Sequence, residues 1–261
     1  MKSQTRQRTP GHAVPTRDRE AFTRLELAVV IAVLGLVAVL TLPALANQRE
    51  RSTRVSCVNN LRLIGQGLQQ WGTEHGGQLP WRTPWCEGGT FLLSSSGCSG
   101  DVPSWSGLNQ NSWFQWAWVS NELRSPNTLA CPSDAQKTPA TLWASTPSGG
   151  FMHPNYRNKA VSYLAGLDVF PQHPQVLLAG DRNVRFNQPA GTCSSGISPV
   201  PGLSSGPVGS FGIRGGLHVE AGNYLFTDGR VEELSSQAFG ARLGAIFRAL
   251  DDNGSQHYLL P

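Results

Sequence analysis

The sequence predicts an α+β protein: a long N-terminal helix that starts as a membrane span and runs on into a head containing an antiparallel sheet. Three observations carry this expectation. Residues 27–46 form an unbroken apolar run of about 20 residues, roughly 30 Å as a helix and enough to cross a bilayer. Beyond it, Val55, Val58, Leu61, Ile64, Leu68 and Trp71 recur every three or four residues, which draws one apolar stripe on a continuing helix. From residue 160 onward the pattern changes to short apolar runs separated by turn residues.

The elements follow in order. Residues 1–21 are a polar, basic leader, 22–46 the span, 47–76 the continuation of the helix, and 77–261 the head. Pro43 is absorbed as a kink within the long helix, and one helix is read from about residue 22 to about residue 71. Gly65 and Gly67 weaken the helix by up to about 1 kcal/mol each relative to Ala, and Gly76, Gly77 and Pro80 end it. The stretch 81–147 is irregular, with a short Trp-rich helix expected over 111–123. Strands are expected at VSYLAGLDV, QVLLAGD, GNYLFT and RVEEL. The last two flank Asp228-Gly229, a hairpin signal whose two residues suit the positive φ angles of a type I′ turn. Residues 187–216, rich in Gly, Ser and Pro, read as a long mobile loop. Ser235 or Ser236 can cap a closing helix that presents Phe239, Leu243, Ile246, Phe247 and Leu250 on one face.

Composition narrows the function. The chain carries 21 basic and 17 acidic residues. The leader holds five of the bases and two of the acids, so without it 16 bases face 15 acids. The positive balance belongs to the leader, and nucleic-acid binding is not expected. A basic leader also stays cytoplasmic and sends the C-terminal head across the membrane. Gly and Pro make up 47 of 261 residues, which fits a loop-rich head with short strands. Six of the eight tryptophans lie between 81 and 118, a density that reads as packed core, with an exposed ligand platform as the alternative. Outside the cytoplasm the five cysteines can form disulfides. Cys86 and Cys98 bracket a short Gly/Ser-rich loop and are the first pair expected, Cys57 with Cys131 the second, and Cys193 is left over.

Glu26 stands at the front edge of the apolar run, where an ionisable group costs on the order of 2.5 kcal/mol or more and usually marks a site. The order Phe22, Thr23, Arg24, Leu25, Glu26 and then the apolar run resembles the signal of type IV prepilins and type II secretion pseudopilins. Ala21 stands where that family usually has Gly, and Arg24 where it is usually apolar. The resemblance implies that a prepilin peptidase cuts between Ala21 and Phe22 and methylates the new amine. It also implies that Glu26 meets the Phe22 amine of a neighbouring subunit, and that Pro43 matches the family's proline. The resemblance continues through Cys57-x-Asn59-Asn60-Leu61-Arg62, the exit Gly77-x-Leu79-Pro80, Cys131-Pro132-Ser133-Asp134, Gly180-Asp181-Arg182-Asn183, and His218 followed after nine residues by Asp228-Gly229. This order is similar to that of a bacterial family of prepilin-processed proteins with an H-X9-DG C-terminal region.

The resemblance implies a pilin-like head and a structural, non-enzymatic subunit of a secretion or pilus-like filament. Its partners would be the prepilin peptidase, other pseudopilins, the inner-membrane assembly platform and membrane lipid. The protein would cross the inner membrane once, with a periplasmic head. It implies no cofactor, calcium entering by family analogy alone.

Other readings have less in the sequence. A plain signal anchor would keep its leader and leave Glu26 at the interface, with the Trp-rich region holding a carbohydrate or other envelope ligand. An anchored hydrolase has only Gly202-x-Ser204-x-Gly206, which lies in a loop rather than between a strand and a helix. Asp251, Asp252 and Asn253 lack EF-hand spacing, and no metal site is expected. For His218 and Asp228 a structural role is expected, because a metal or catalytic role needs partners that the sequence does not name. Asp181 and Arg182 are expected to form an ion pair or a cap at a strand end.

Overall fold

A computed structural model describes residues 23–92, 97–101, 103–169, 175–186, 211–213, 215, 217–218, 220–249 and 257–261. The chain forms two compact units, Met1–Gln48 and Arg49–Pro261.

Helix α1 runs over Arg24–Glu74. It starts with a capping box. The Thr23 hydroxyl accepts the Glu26 N–H at 3.2 Å, and the Glu26 carboxylate accepts the Thr23 N–H at 2.8 Å. The segment Arg24–Thr41 is exposed throughout, and is long and apolar enough to cross a membrane. Pro43 lies within the helix. At its other end α1 runs three residues beyond the end of the apolar stripe. Gly76 and Gly77 then take positive φ values of 64° and 83°, and the Gly77 N–H closes onto the Gly72 carbonyl at 2.7 Å.

In the second unit α1 presents the expected stripe. Leu61, Ile64 and Leu68 are completely or almost completely buried, as is most of Trp71. Each contributes roughly 1.5–3 kcal/mol of apolar transfer, so packing rather than propensity holds this stretch helical. Val55, in contrast, is exposed. Gly65 and Gly67 sit at close approaches. A Cβ at Gly65 would lie 3.1 Å from Leu225, and one at Gly67 would lie 2.8 Å from Leu123.

The middle of the chain holds two short helices where one was expected, α2 (Ser112–Ala117) and α3 (Ser120–Leu123). Trp81 and Trp116 are fully buried and meet edge to face, with ring centroids 6.0 Å apart.

Strands β1 (Tyr163–Gly166), β2 (Leu177–Asp181), β3 (Val184–Phe186), β4 (Phe211–Ile213), β5 (Ala221–Phe226), β6 (Val231–Ser235) and β7 (Tyr258–Leu259) complete the head. Five of them form an antiparallel sheet in the order β6-β5-β2-β1-β7, and β3 pairs with β4. Phe211–Ile213 is therefore strand where a loop was expected, and the rest of that loop expectation lies largely outside the described residues. Helix α4 (Ser236–Ala249) is capped by Ser235, whose hydroxyl accepts the Ala238 N–H at 3.3 Å. It buries Phe239, Leu243 and Ile246, with Phe239 stacked on Tyr224 at 4.2 Å. The overall class is α+β, as expected.

The β5–β6 turn differs from the type I′ form expected. Phe226 N–H bonds to the Arg230 carbonyl and Gly229 N–H to the Phe226 carbonyl, both at 2.9 Å. Only Gly229 in this loop has positive φ, at 81°. This is a three-residue loop ending in a G1-type glycine. Asp228 stays at negative φ because its carboxylate takes another job: it accepts the Arg230 N–H at 3.0 Å.

Candidate functional site

Four of the sequence motifs meet at one buried point in the head. Helix α1 delivers Cys57, the loop after residue 130 delivers Cys131, the end of β2 delivers Asp181, and the turn before β5 delivers His218. All four are at most 3% exposed. Cys57 and Cys131 form a disulfide that spans 74 residues of sequence. His218 Nε2 lies 3.6 Å from Cys131 Sγ and 3.4 Å from Asp181 Oδ2. Asp181 Oδ2 also accepts the Asn223 N–H at 2.7 Å and the Asn223 amide at 3.0 Å. Asp181 Oδ1 accepts no hydrogen bond from the described residues. Burial pushes the Asp181 carboxyl up to about 7, and the two bonds from Asn223 only partly oppose this. One further bond ties α1 to the same loop: Asn60 donates from Nδ2 to the Ala130 carbonyl at 3.0 Å.

The neighbouring motif residues build a second polar layer. Arg182 does not pair with Asp181. It forks onto Asp134, with Nε to Oδ2 at 2.7 Å and NH2 to Oδ1 at 2.9 Å, and also reaches Gln136 at 2.7 Å. Asp181 and Arg182 are adjacent on an extended chain, so their side chains leave on opposite sides. Burial works against the Asp134 charge, but the guanidinium more than offsets it and holds that carboxyl below the usual range. Lys137, desolvated and near Arg182, is lowered to about 8 and donates to the Asn158 carbonyl at 2.8 Å. Together these contacts clamp α1, the 130–137 loop and the central strands.

The two ends of the H-X9-DG stretch separate. His218 is in the buried cluster, whereas Asp228 and Gly229 are exposed at the hairpin tip. There they line a groove of about 880 Å³ with Arg62, Gln66 and Gln69 of α1. Asp228 Oδ2 is held by Arg230 Nε at 2.7 Å.

The remaining expected residues fall as follows. Cys86 and Cys98 are bonded across 12 residues, so the disulfide pairs are the two expected. Glu26 is exposed and engaged in the capping box. Ala21, Phe22, Cys193, the Gly202–Gly206 motif and Asp251, Asp252 and Asn253 lie outside the described residues. Trp105 and Trp118 are half-buried and meet at 63°, so this pair offers no flat stacking platform.

Two groups escaped the sequence reading. Asp168 accepts the His257 backbone N–H at 2.9 Å and also bonds the His257 ring, which pins the C-terminal strand β7 to the sheet edge. The capping box at the head of α1 was readable as Thr23-x-x-Glu26. No family model matches the chain, and neither a curated protein nor a solved structure is significantly similar to it.

Proposed function

We propose that this protein is a pseudopilin-like structural subunit. It is cut before Phe22 by a prepilin peptidase and assembled, span against span, into a short envelope filament serving secretion or a pilus-like function. The observation that carries this reading is α1 itself. One helix joins an exposed apolar segment, Arg24–Thr41, to a stripe that forms the spine of the head. Such a helix suits a subunit that anchors in the inner membrane, presents its head in the periplasm and then packs its span against its neighbours' spans. Glu26 is the only acidic residue in that segment. Its capping bond to Thr23 leaves the carboxylate's charge to be neutralised on assembly, and the Phe22 amine of an adjacent subunit is the natural cation.

The test is a photo-crosslinking residue in place of Val39, which is 70% exposed. In native membranes it should give a ladder of covalent multimers of this chain or of chains with similar spans. Crosslinking to lipid alone would support the plain-anchor alternative, in which the head binds an envelope ligand.

A further inference from the structure

We propose that reduction of the Cys57–Cys131 disulfide converts the buried cluster into a zinc site. The three ligands already gathered are the Cys57 and Cys131 thiolates and the His218 imidazole through Nε2, with the adjacent Asp181 carboxylate completing the set on metal binding. The inference concerns the head alone and does not depend on the filament reading.

Geometry is the first support. Cys57 Sγ, Cys131 Sγ and His218 Nε2 all lie within 4.8 Å of one another. A tetrahedral zinc with Zn–S of about 2.3 Å and Zn–N and Zn–O of about 2.0–2.1 Å has an S–N edge of about 3.6 Å and an N–O edge of about 3.3 Å. The S–N separation here, from Cys131 Sγ to His218 Nε2, is 3.6 Å. Nε2 also lies 3.4 Å from Asp181 Oδ2, the Asn223-bonded oxygen, which sets the carboxylate beside the three-ligand group. On reduction the two sulfurs must separate to an edge of about 3.8 Å, and the Asp181 carboxylate, which lies outside that group of three, must close on them. With the Cα atoms 5.1 Å apart, side-chain rotation can supply the sulfur separation.

Chemistry is the second support. Two thiolates, one imidazole and one carboxylate suit the borderline-soft zinc ion better than calcium or magnesium. Asp181 is fully buried, and its Oδ1 accepts no hydrogen bond from the described residues, a condition that a divalent cation relieves. Asn223 already fixes its other oxygen with two hydrogen bonds, the outer support that metal-binding carboxylates use.

The redox step balances through a dithiol reductant. The reductant gives two electrons and two protons, becomes a disulfide, and leaves two thiols at Cys57 and Cys131. Zinc then displaces both thiol protons to solvent. His218 binds as the neutral ring, with its proton on Nδ1. Both states fasten α1 to the 131 loop, by a covalent bond when oxidised and by the metal when reduced.

The test uses the full chain in detergent, with Cys86, Cys98 and Cys193 changed to Ser so that one redox pair remains. The oxidised and the phosphine-reduced protein are each incubated with zinc sulfate, desalted without oxygen and assayed by elemental analysis. The expected result is about one zinc per reduced chain and none per oxidised chain. Cobalt in place of zinc should give a sulfur-to-metal charge-transfer band and intense tetrahedral d–d bands. Zinc should also raise the melting temperature of the reduced protein and leave that of the oxidised protein unchanged. His218→Gln should weaken zinc binding by more than the roughly 10–100-fold that loss of an outer-sphere partner costs, and Cys57→Ser should abolish the charge-transfer band or halve it. Should the reduced chain unfold when metal-free, zinc must restore its near-ultraviolet tryptophan circular dichroism. A reduced chain that takes up no zinc, or one whose zinc affinity is indifferent to both substitutions, overturns the proposal.

Discussion

Replacing Cys57 and Cys131 together by Ala should destabilise the head more than any other paired cysteine change. The disulfide spans 74 residues, against 12 for Cys86–Cys98. In the chain-entropy model the loop lengths correspond to about 4.5 and about 3 kcal/mol. Burial widens the gap. Cys57 is fully buried, so its truncation leaves a small void in the core, whereas Cys86 is exposed. The Asn60 bond to Ala130 remains and limits how far α1 drifts. Guanidinium unfolding of the full chain in detergent, with a chelator present and followed by tryptophan fluorescence, separates the two variants. The long-range pair should also raise the denaturant dependence when removed, because the unfolded chain can then expand further. Equal losses for the two variants, or a larger loss for Cys86/Cys98, would refute the view that the Cys57–Cys131 link is the main clamp on the helix.

Glu26→Gln should leave insertion unchanged, because Gln at this position can still accept the Thr23 N–H; crosslinking through Val39 should fall to monomer, and an undiminished ladder would reduce Glu26 to a helix cap. Asp228→Asn should shift stability by less than about 0.5 kcal/mol, since Asn can accept the Arg230 N–H and the lost pairing is to a half-exposed guanidinium. Gly229→Val should cost about 1–3 kcal/mol because the position has φ of 81°, and thermal melting distinguishes the two variants. Burial raises the Asp181 carboxyl in the folded protein to about 7, from an ordinary value of about 3.9. Between these values the folded state keeps a proton that the unfolded state has lost, so this group's contribution falls as pH rises from about 4 to about 7. Asp181→Asn should flatten that part of the stability profile of the oxidised head, and an unchanged slope would mean that Asp181 does not hold the proton.

The sequence showed the parts of the fold that rest on local repetition. The stripe Leu61, Ile64, Leu68, Trp71 needs only helical spacing to be seen, and strands β1, β2, β5 and β6 were visible as bounded apolar runs. The location of the β5–β6 hairpin was readable from Asp-Gly, but its type was not. That depended on whether the Asp228 side chain or its backbone would close the loop. Strands β3, β4 and β7 have two or three residues each, too few for alternation to register. The Arg182–Asp134 pair and the Asp181–Asn223 bonds join segments about 40–50 residues apart, and only the sheet order brings them together. His218 and Asp228 belong to one nine-residue-spaced motif, and the sequence did not name the buried partners of His218. The sharp turn at Glu220, with φ of 55°, directs the chain so that His218 sits beside Asp181 at the far end of β5.

The most direct test of the filament reading is the N-terminus of the protein taken from native membranes. Mass spectrometry of the intact chain and its N-terminal peptide should find Phe22 as the first residue, carrying one extra methyl group on its amine. A chain that retains residues 1–21 in the presence of an active prepilin peptidase would contradict the account.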